Sequence, residues 1–433
     1  MRVWCGSPSA SKTWKTFRLI STVGYPDPRE ALRAFHRAGI AAVEGRAAVA
    51  RALNEPSAIP HGPFHLLAIG KAAVAMAHGV ADQRADDVLG GRVVTRCGYA
   101  DADLTRRLPV EVLTAPHPVP DERSLAAGQA LVDYLDDTPN DARFVCLISG
   151  GASSLVEQLA DGADPQALSV LNEWLLGSGL DIGQMNRIRT AVSGIKGGRL
   201  GARLRGRRAD VLLISDVPGD DPAVIGSGLF FGQNTPDDPA EVIRDLPVQL
   251  PLPPPPPAVN NPALAGVHPS IIASNRLARE AVAQAAQAAG WAVSCSDQFI
   301  EGEASVAGQA LAEAVVSGPP GITIWGGEPT VTLPANPGRG GRMQTLALAA
   351  ASVMADTACC LLAAGTDGAD GPGEDAGAVI DGGTLQRGMA NGDDPVTALA
   401  AADAGHFLAA SGDLIQTGPT GTNVMDLVIG LKS

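Results

Sequence analysis

"VLLISDVPGDDPAVIGSG" spans Val211 to Gly228. Four apolar residues and a serine lead into Asp216, and Asp220 and Asp221 follow in one loop of glycine and proline. An apolar run of this kind reads as a strand buried on both faces, as in parallel sheets covered by helices. Acids at its exit then lie beyond the carboxyl end of the strand, which is where open α/β sheets bind their ligands. The fold depends on whether the rest of the chain repeats this pattern.

It does. "FHLLAIG" (64–70) precedes a helical pattern, and "GRVVTRC" and "VEVLTAP" follow. A helix is expected from about Glu122 to Leu135, then "RFVCLISG" (143–150), two helical stretches to about Val192, and "ADVLLISD" (209–216). Later come "SIIASN" (270–275), "WAVSC", "GITIWGGE" (321–328), "CCLLAAGTDGADG" (359–371) and "NVMDLVIGL" (423–431), with helices between them. Strand–helix alternation predicts an α/β fold with a largely parallel, Rossmann-like sheet and helices on both faces. "LPVQLPLPPPPPAVNNP" (246–262) breaks the pattern, because consecutive prolines stiffen into polyproline II and stay out of sheet interiors. It divides the chain into residues 23–246, a crossover at 247–262, and residues 263–433. Residues 1–22 carry four cations, no acid and no apolar centre of a secretory signal, and read as a disordered leader or an over-long start.

Composition narrows the function. A chain of 433 residues with 45% hydrophobic side chains can bury a large core, and aromatics at 4% leave Ala, Val, Leu and Ile to fill it. A formal charge of -14 argues against nucleic acid or an anionic membrane as partner, and no apolar run approaches the ~20 residues of a membrane span. The six cysteines form no CxxC pair, which predicts free thiols and a reducing cytoplasm. The seven histidines show no metal-type spacing, and His117, between two prolines, reads as a turn residue. A homo-oligomer is compatible with all of this.

The strand-end loops carry the chemistry. "AIGK" delivers Lys71; "LISGGASS" delivers Ser149, Gly150, Gly151, Ser153 and Ser154; "IWGGEPT" delivers Glu328; "AAGTDGADG" delivers Asp367 and Asp370. Glycines let backbone N–H groups approach a phosphate, and a helix start adds a favourable dipole. Carboxylates at neighbouring strand ends can hold Mg²⁺ with phosphate oxygens. Lys196 lies in "IKGGRL", and Arg342 is expected in the first turn of a helix, where a cation is unfavourable unless an anion sits beside it. Two signatures are missing. His65 and Ala72 depart from a Walker A loop ending in Gly70–Lys71, and no GxGxxG follows the first strand, so a dinucleotide site is unsupported.

Together "AIGKAA", "HPVPDE", "SGGASSL", "IKGGRL", "ISDVPGDDP", "GGEPTV", "GRGGRMQ", "GTDGADGP" and "TGPTGTNVMDL" resemble the glycerate 2-kinases, whose carboxyl-terminal part is called the MOFRL domain. The match covers about residues 27 to 431, with the MOFRL part at about 321–431. The resemblance implies two α/β domains with the active site in the cleft between them, and ATP- and Mg²⁺-dependent phosphorylation of D-glycerate to 2-phosphoglycerate. Lys71 and Arg342 match the family's catalytic cations. Asp216 joins them, and Asp216, Asp220 and Asp367 become the expected metal ligands. Ser149, Gly150, Gly151, Ser153, Ser154, Lys196, Asn275 and Glu328 form the substrate- and phosphate-binding set. The chain reads "GGRMQT" where the family usually reads GGRNQE, so Met343 and Thr345 depart from the pattern. Two rival readings are a nicotinamide-dependent hydroxypyruvate reductase and a sugar-acid-binding protein without turnover.

Overall fold

The computed structural model describes residues 27–55, 59–180, 182–234, 238–244, 246 and 250–433; the expected leader at 1–22 and part of the proline-rich crossover lie outside them. Two six-stranded sheets organise the chain. The first contains β1 (Phe64–Ile69), β2 (Val88–Arg96), β3 (Val110–Ala115), β4 (Phe144–Ile148), β5 (Ala209–Ile214) and β6 (Val267–Ala273), ordered β3-β2-β1-β4-β5-β6 with every pair parallel. The second contains β7 (Val293–Ile300), β8 (Gly321–Gly327), β9 (Cys359–Gly365), β10 (Gly377–Asp381), β11 (Leu414–Ile415) and β12 (Asp426–Lys432), ordered β11-β10-β9-β12-β8-β7. Only β7 and β8 pair in parallel there; the remaining pairs are antiparallel.

Every residue of β4 and of β5 is buried, which is why these strands read as unbroken apolar runs. Successive side chains still part to opposite faces. Leu66, Ala68, Val145, Leu147, Leu212 and Ile214 face one core, and Leu67, Ile69, Cys146, Ile148, Val211 and Leu213 face the other, under the Glu122–Asp137 helix.

The first of these cores continues into the second sheet, where Ile324, Leu362, Leu427 and Ile429 join it. Between the sheets lie the helices Pro28–Val43, Gly45–Asn54, Ala73–Arg84 and Asn275–Ala288, which bury Leu32, Phe35, Val49, Met76 and Val282 in that shared core. The outer face of the second sheet is covered by the Ala304–Ser317 and Arg342–Met354 helices. The molecule is therefore a stack of helix, sheet, helix, sheet and helix layers. The proline-rich crossover does not separate the sheets: β6 lies beyond it and pairs with β5. Arg199 holds the crossover down by donating from Nε to the Pro254 carbonyl at 2.8 Å.

Among the described residues no helix is long and apolar enough to cross a membrane, and Cys97, Cys146, Cys295, Cys359 and Cys360 are free thiols.

Candidate active site

In the first sheet the strand order reverses between β1 and β4, so their connections depart to opposite faces and leave a crevice at their carboxyl ends. Lys71 follows β1 and Ser149–Gly150 follow β4. The two loops are tied together: the Lys71 N–H donates to the Gly150 carbonyl at 2.9 Å, and the Ala72 N–H to Ser149 Oγ at 3.1 Å. Gly70 must lack a side chain, since its φ is +136° and a Cβ there would stand 2.1 Å from Ser149 Oγ. Ser149 is fully buried and joins the two strand ends; its hydroxyl does not face solvent.

Asp216, beyond β5, leans over this crevice. A Cβ on Gly150 would lie 2.1 Å from Asp216 Oδ2 and 3.0 Å from Asn423 Nδ2, so only glycine lets the loop pass beneath that carboxylate. Burial, and then the charge of Glu328, push Asp216 up to about 6, against its own backbone N–H and Lys71, which pull it down. Asp216 thus feels Lys71 from the first sheet and Glu328 from the second.

The second sheet brings its own strand ends to the same place. Glu328 follows β8, and its carboxylate lies 3.0 Å from Arg342 Nη2. Asp367 follows β9 and stands 3.7 Å from Lys71 Nζ. Asp426 opens β12, in register with Gly327 of β8 and Gly365 of β9, so an antiparallel strand begins where its neighbours end. Asp426 accepts from Arg342 Nε at 2.5 Å and from Nη2 at 3.1 Å and is almost fully buried. Burial pushes Asp426 up to about 7; Arg342 opposes this, and Glu328 and Asp370 add to it. The Arg342 guanidinium is raised, because the surrounding carboxylates outweigh its burial.

The anion expected beside Arg342 belongs to the protein. Asp370, buried, accepts from the Met343 N–H at 3.0 Å and the Gln344 N–H at 2.7 Å, and so caps the Arg342–Met354 helix. That helix start is closed to a phosphate. Met343 packs in the core, and the Thr345 N–H reaches the Gly341 carbonyl, so the departures from the family pattern leave the helix start hydrogen-bonded.

Lys71 and Asp367 line a cleft of about 750 Å³. Arg96, Tyr99 and His78 come to it from the first sheet's side, and Glu374, Gln416 and Thr422 from the second's. Its size suits a small-molecule ligand. Arg96 closes β2, lies 3.7 Å over the Tyr99 ring, and has a buried Nε without a hydrogen-bond partner. His117 sits against Gly151, and burial, then Lys71 and Arg96, lower it to about 4. It is a turn residue, as expected, and also a neutral ring beside the site.

Several expected residues stand elsewhere. Among the described residues, no three His, Cys, Asp or Glu side chains are grouped to hold a metal ion, so Asp216, Asp220 and Asp367 do not form the expected set. Asp220 sits in a turn at φ +54°, and Asp221 accepts from the Ala223 N–H as a turn residue. Lys196 is sealed in an ion pair with Glu157, to which Ser193 also donates; with Ser153 and Ser154 it lines a separate, very small cavity. Ser153 shares a 2.8 Å hydrogen bond with Ser227. The helix after Gly151 is the single turn Ala152–Leu155, too short to supply much dipole. Asn275 is buried beneath the site, its Nδ2 bonded to the Val424 and Asp426 carbonyls at 2.9 Å each.

Sequence reasoning passed over Asp426, Arg96 and His117 as site residues, and it singled out Asp370 without giving it a role. Each had a local signal: an acid opening the apolar run "DLVIGL", a second acid in "TDGAD", a cation closing "GRVVTR", and a histidine between prolines.

Two family models match the chain: a domain of unknown function over residues 31–256 and the MOFRL family over residues 321–426. A glycerate 2-kinase of Pyrococcus horikoshii is 34% identical over 86% of this chain and 87% of its own length. A protein of Agrobacterium vitis with a provisional hydroxypyruvate reductase name is 35% identical over 92% of this chain and 93% of its own. The crystal structure of a glycerate kinase from Thermotoga maritima superimposes with a TM-score of 0.82 at 30% identity, covering 94% of this chain and 99% of that one.

Proposed function

This chain belongs to the glycerate 2-kinase family, and on that premise we propose that it transfers the γ-phosphoryl group of ATP to the 2-hydroxyl of D-glycerate, giving 2-phosphoglycerate and ADP. One observation carries the reading: Asp216 lies in the fields of both Lys71 and Glu328, while Glu328 pairs with Arg342. Lys71 from the first sheet and the Glu328–Arg342 pair from the second thus approach Asp216 from their own strand ends.

Phosphoryl transfer asks the protein for positioning and for charge stabilisation. Lys71 and Arg342 neutralise charge on the transferring group from opposite sides. Asp216 takes the proton of the 2-hydroxyl, since a carboxylate raised to about 6 is a better base than an ordinary one and is still ionised at pH 7. Arg96 binds phosphate oxygens further along the cleft. The Gly150 and Gly151 N–H groups, which meet no acceptor among the described residues, complete the phosphate contacts. Asp367 fits Mg²⁺ arriving on the nucleotide: only its Oδ1 accepts a backbone N–H, that of Ala369, and Mg²⁺ needs one or two carboxylates beside phosphate oxygens and water. When bound, the ion screens the phosphate charge and leaves Lys71 and Arg342 to act on the moving group.

Purified protein given ATP, Mg²⁺ and D-glycerate should release ADP and 2-phosphoglycerate in equal amounts. Oxidation of NADH by hydroxypyruvate with no ADP formed would replace this reading with the reductase. Binding of D-glycerate with neither turnover would leave a sugar-acid-binding protein.

A further inference from the structure

We propose that Asp426 is a positioning residue for this reaction, acting only through Arg342: it fixes the guanidinium edge-on so that Nη1 is left to face the phosphoryl group. The inference rests on the phosphoryl-transfer reading for its consequence and on geometry for its substance.

The geometry is two-pronged. Asp426 Oδ2 takes Arg342 Nε and Oδ1 takes Nη2, an arrangement that sets both the plane and the rotation of a guanidinium. Glu328 also lies 3.0 Å from Nη2. Nη1 has no hydrogen-bond partner among the described residues. The Arg342 side chain is 36% exposed and the Asp426 side chain 1%, so the acid is sealed behind the cation and touches no ligand itself.

The protein also holds Asp426 unusually firmly. Asn275 Nδ2 grips the carbonyls on either side of Met425, and Thr366 Oγ1 accepts the Val424 N–H at 2.8 Å while donating to the Met425 carbonyl. Met425 itself adopts a φ of +66°, a conformation that a long side chain seldom takes. A strained residue clamped by two buried side chains, directly before a buried acid, makes the acid's position the thing being specified. The acid is also poorly placed to stabilise the fold, since burying a charged pair seldom gains more than desolvation costs.

The test is a double-mutant cycle with a spectroscopic arm. Asp426→Asn should lower kcat by about 100-fold, the scale of losing one transition-state contact, with the KM for ATP changed less than threefold. In an Arg342→Ala background the same substitution should cost almost nothing more, because the group it positions is gone. Multiplication of the two losses would overturn the proposal and make Asp426 merely structural. If Asp426→Asn does not fold, Asp426→Glu enters the same cycle with the same expectation. The Arg342 Nε–H resonance, assigned by its loss in Arg342→Lys, should be downfield and slow to exchange in ligand-free wild type and should lose both properties in Asp426→Asn. That arm holds even for a protein without kinase turnover. An ordinary, rapidly exchanging Nε–H in wild type would overturn the positioning role directly.

Discussion

Two lysines follow glycine-rich or small-residue patterns in this chain, and they meet opposite fates. Lys196 is 1% exposed, with its charge answered by Glu157, whose other carboxylate oxygen accepts from Ser193. Lys71 stands at the lip of a cleft, 3.7 Å from Asp367, a contact too long to be a hydrogen bond. Around Lys196 the charges are closed and there is no room for a ligand. Around Lys71 and Arg342 acids are crowded together, two of them pushed up to about 6 and about 7, and one face of the guanidinium is open. Saturation by neighbours tells the two lysines apart, and the amino-acid pattern around each does not.

The comparison is sharpest where either lysine is removed. Lys71→Ala should cost about 3–4 kcal/mol of transition-state stabilisation, a 10²–10³-fold loss of kcat, with the thermal midpoint almost unmoved. Lys196→Ala leaves Glu157 buried and unpaired and should cost about 3–5 kcal/mol of stability. Lys196→Met combined with Glu157→Leu should recover most of that stability. Steady-state kinetics and thermal unfolding of the three variants check the contrast, and a Lys196→Ala protein of normal stability with no turnover would break it.

A smaller effect is expected from pH. Asp216 must be ionised to accept a proton, so kcat/KM should climb as pH rises through about 6, and Asp216→Asn should lose that limb along with most of the rate. Stability moves the other way. The folded-state pKa lies above the unfolded value, so the contribution of Asp216 is full below about 4 and disappears as pH passes about 6. Above that point Asp216→Asn should melt about 1–3 °C higher than wild type, and below pH 4 no higher. A melting difference independent of pH would mean that the carboxylate is not held above its usual range.

The smallest effect falls on Arg96, which lines the same cleft as Lys71. Arg96→Ala should raise the KM for ATP about tenfold, the loss of one charge-assisted contact, and leave kcat within a factor of three. A fall in kcat comparable to that of Lys71→Ala would move Arg96 into the reacting centre and erase the gradient from lip to interior.

The first sheet was legible because buried parallel strands announce themselves as apolar runs and their useful residues follow them. Lys71, Asp216, Glu328 and Asp367, the candidates that the structure brings to the strand ends, all lie just past such a run. That habit fails for a strand that runs against its neighbours. Asp426 precedes its strand and reaches the site because β12 runs against β8 and β9, a pairing that no local pattern encodes. Strands β10 and β11 were missed for a related reason: Gly377–Asp381 has only five residues and Leu414–Ile415 two, too short for periodicity to emerge. Ser149, Lys196 and Asn275 have residue types that bind ligands well. Whether such a group faces a cleft or a neighbouring backbone depends on packing between segments up to 151 positions apart, as Asn275 and Asp426 are.

The core shared by the two sheets sets how this chain can be divided. A cut within the proline-rich crossover falls between the two parts of the sequence, yet β6 and the Asn275–Ala288 helix lie on its far side. The upstream fragment would end with β5 as an open edge, ready to pair with any other chain. The downstream fragment would lose the Pro28–Val43 helix that lies along its Asn275–Ala288 helix and against β9 and β12. Neither piece keeps the core that the two sheets share, so the strand ends on either side of the crossover depend on one another for their support.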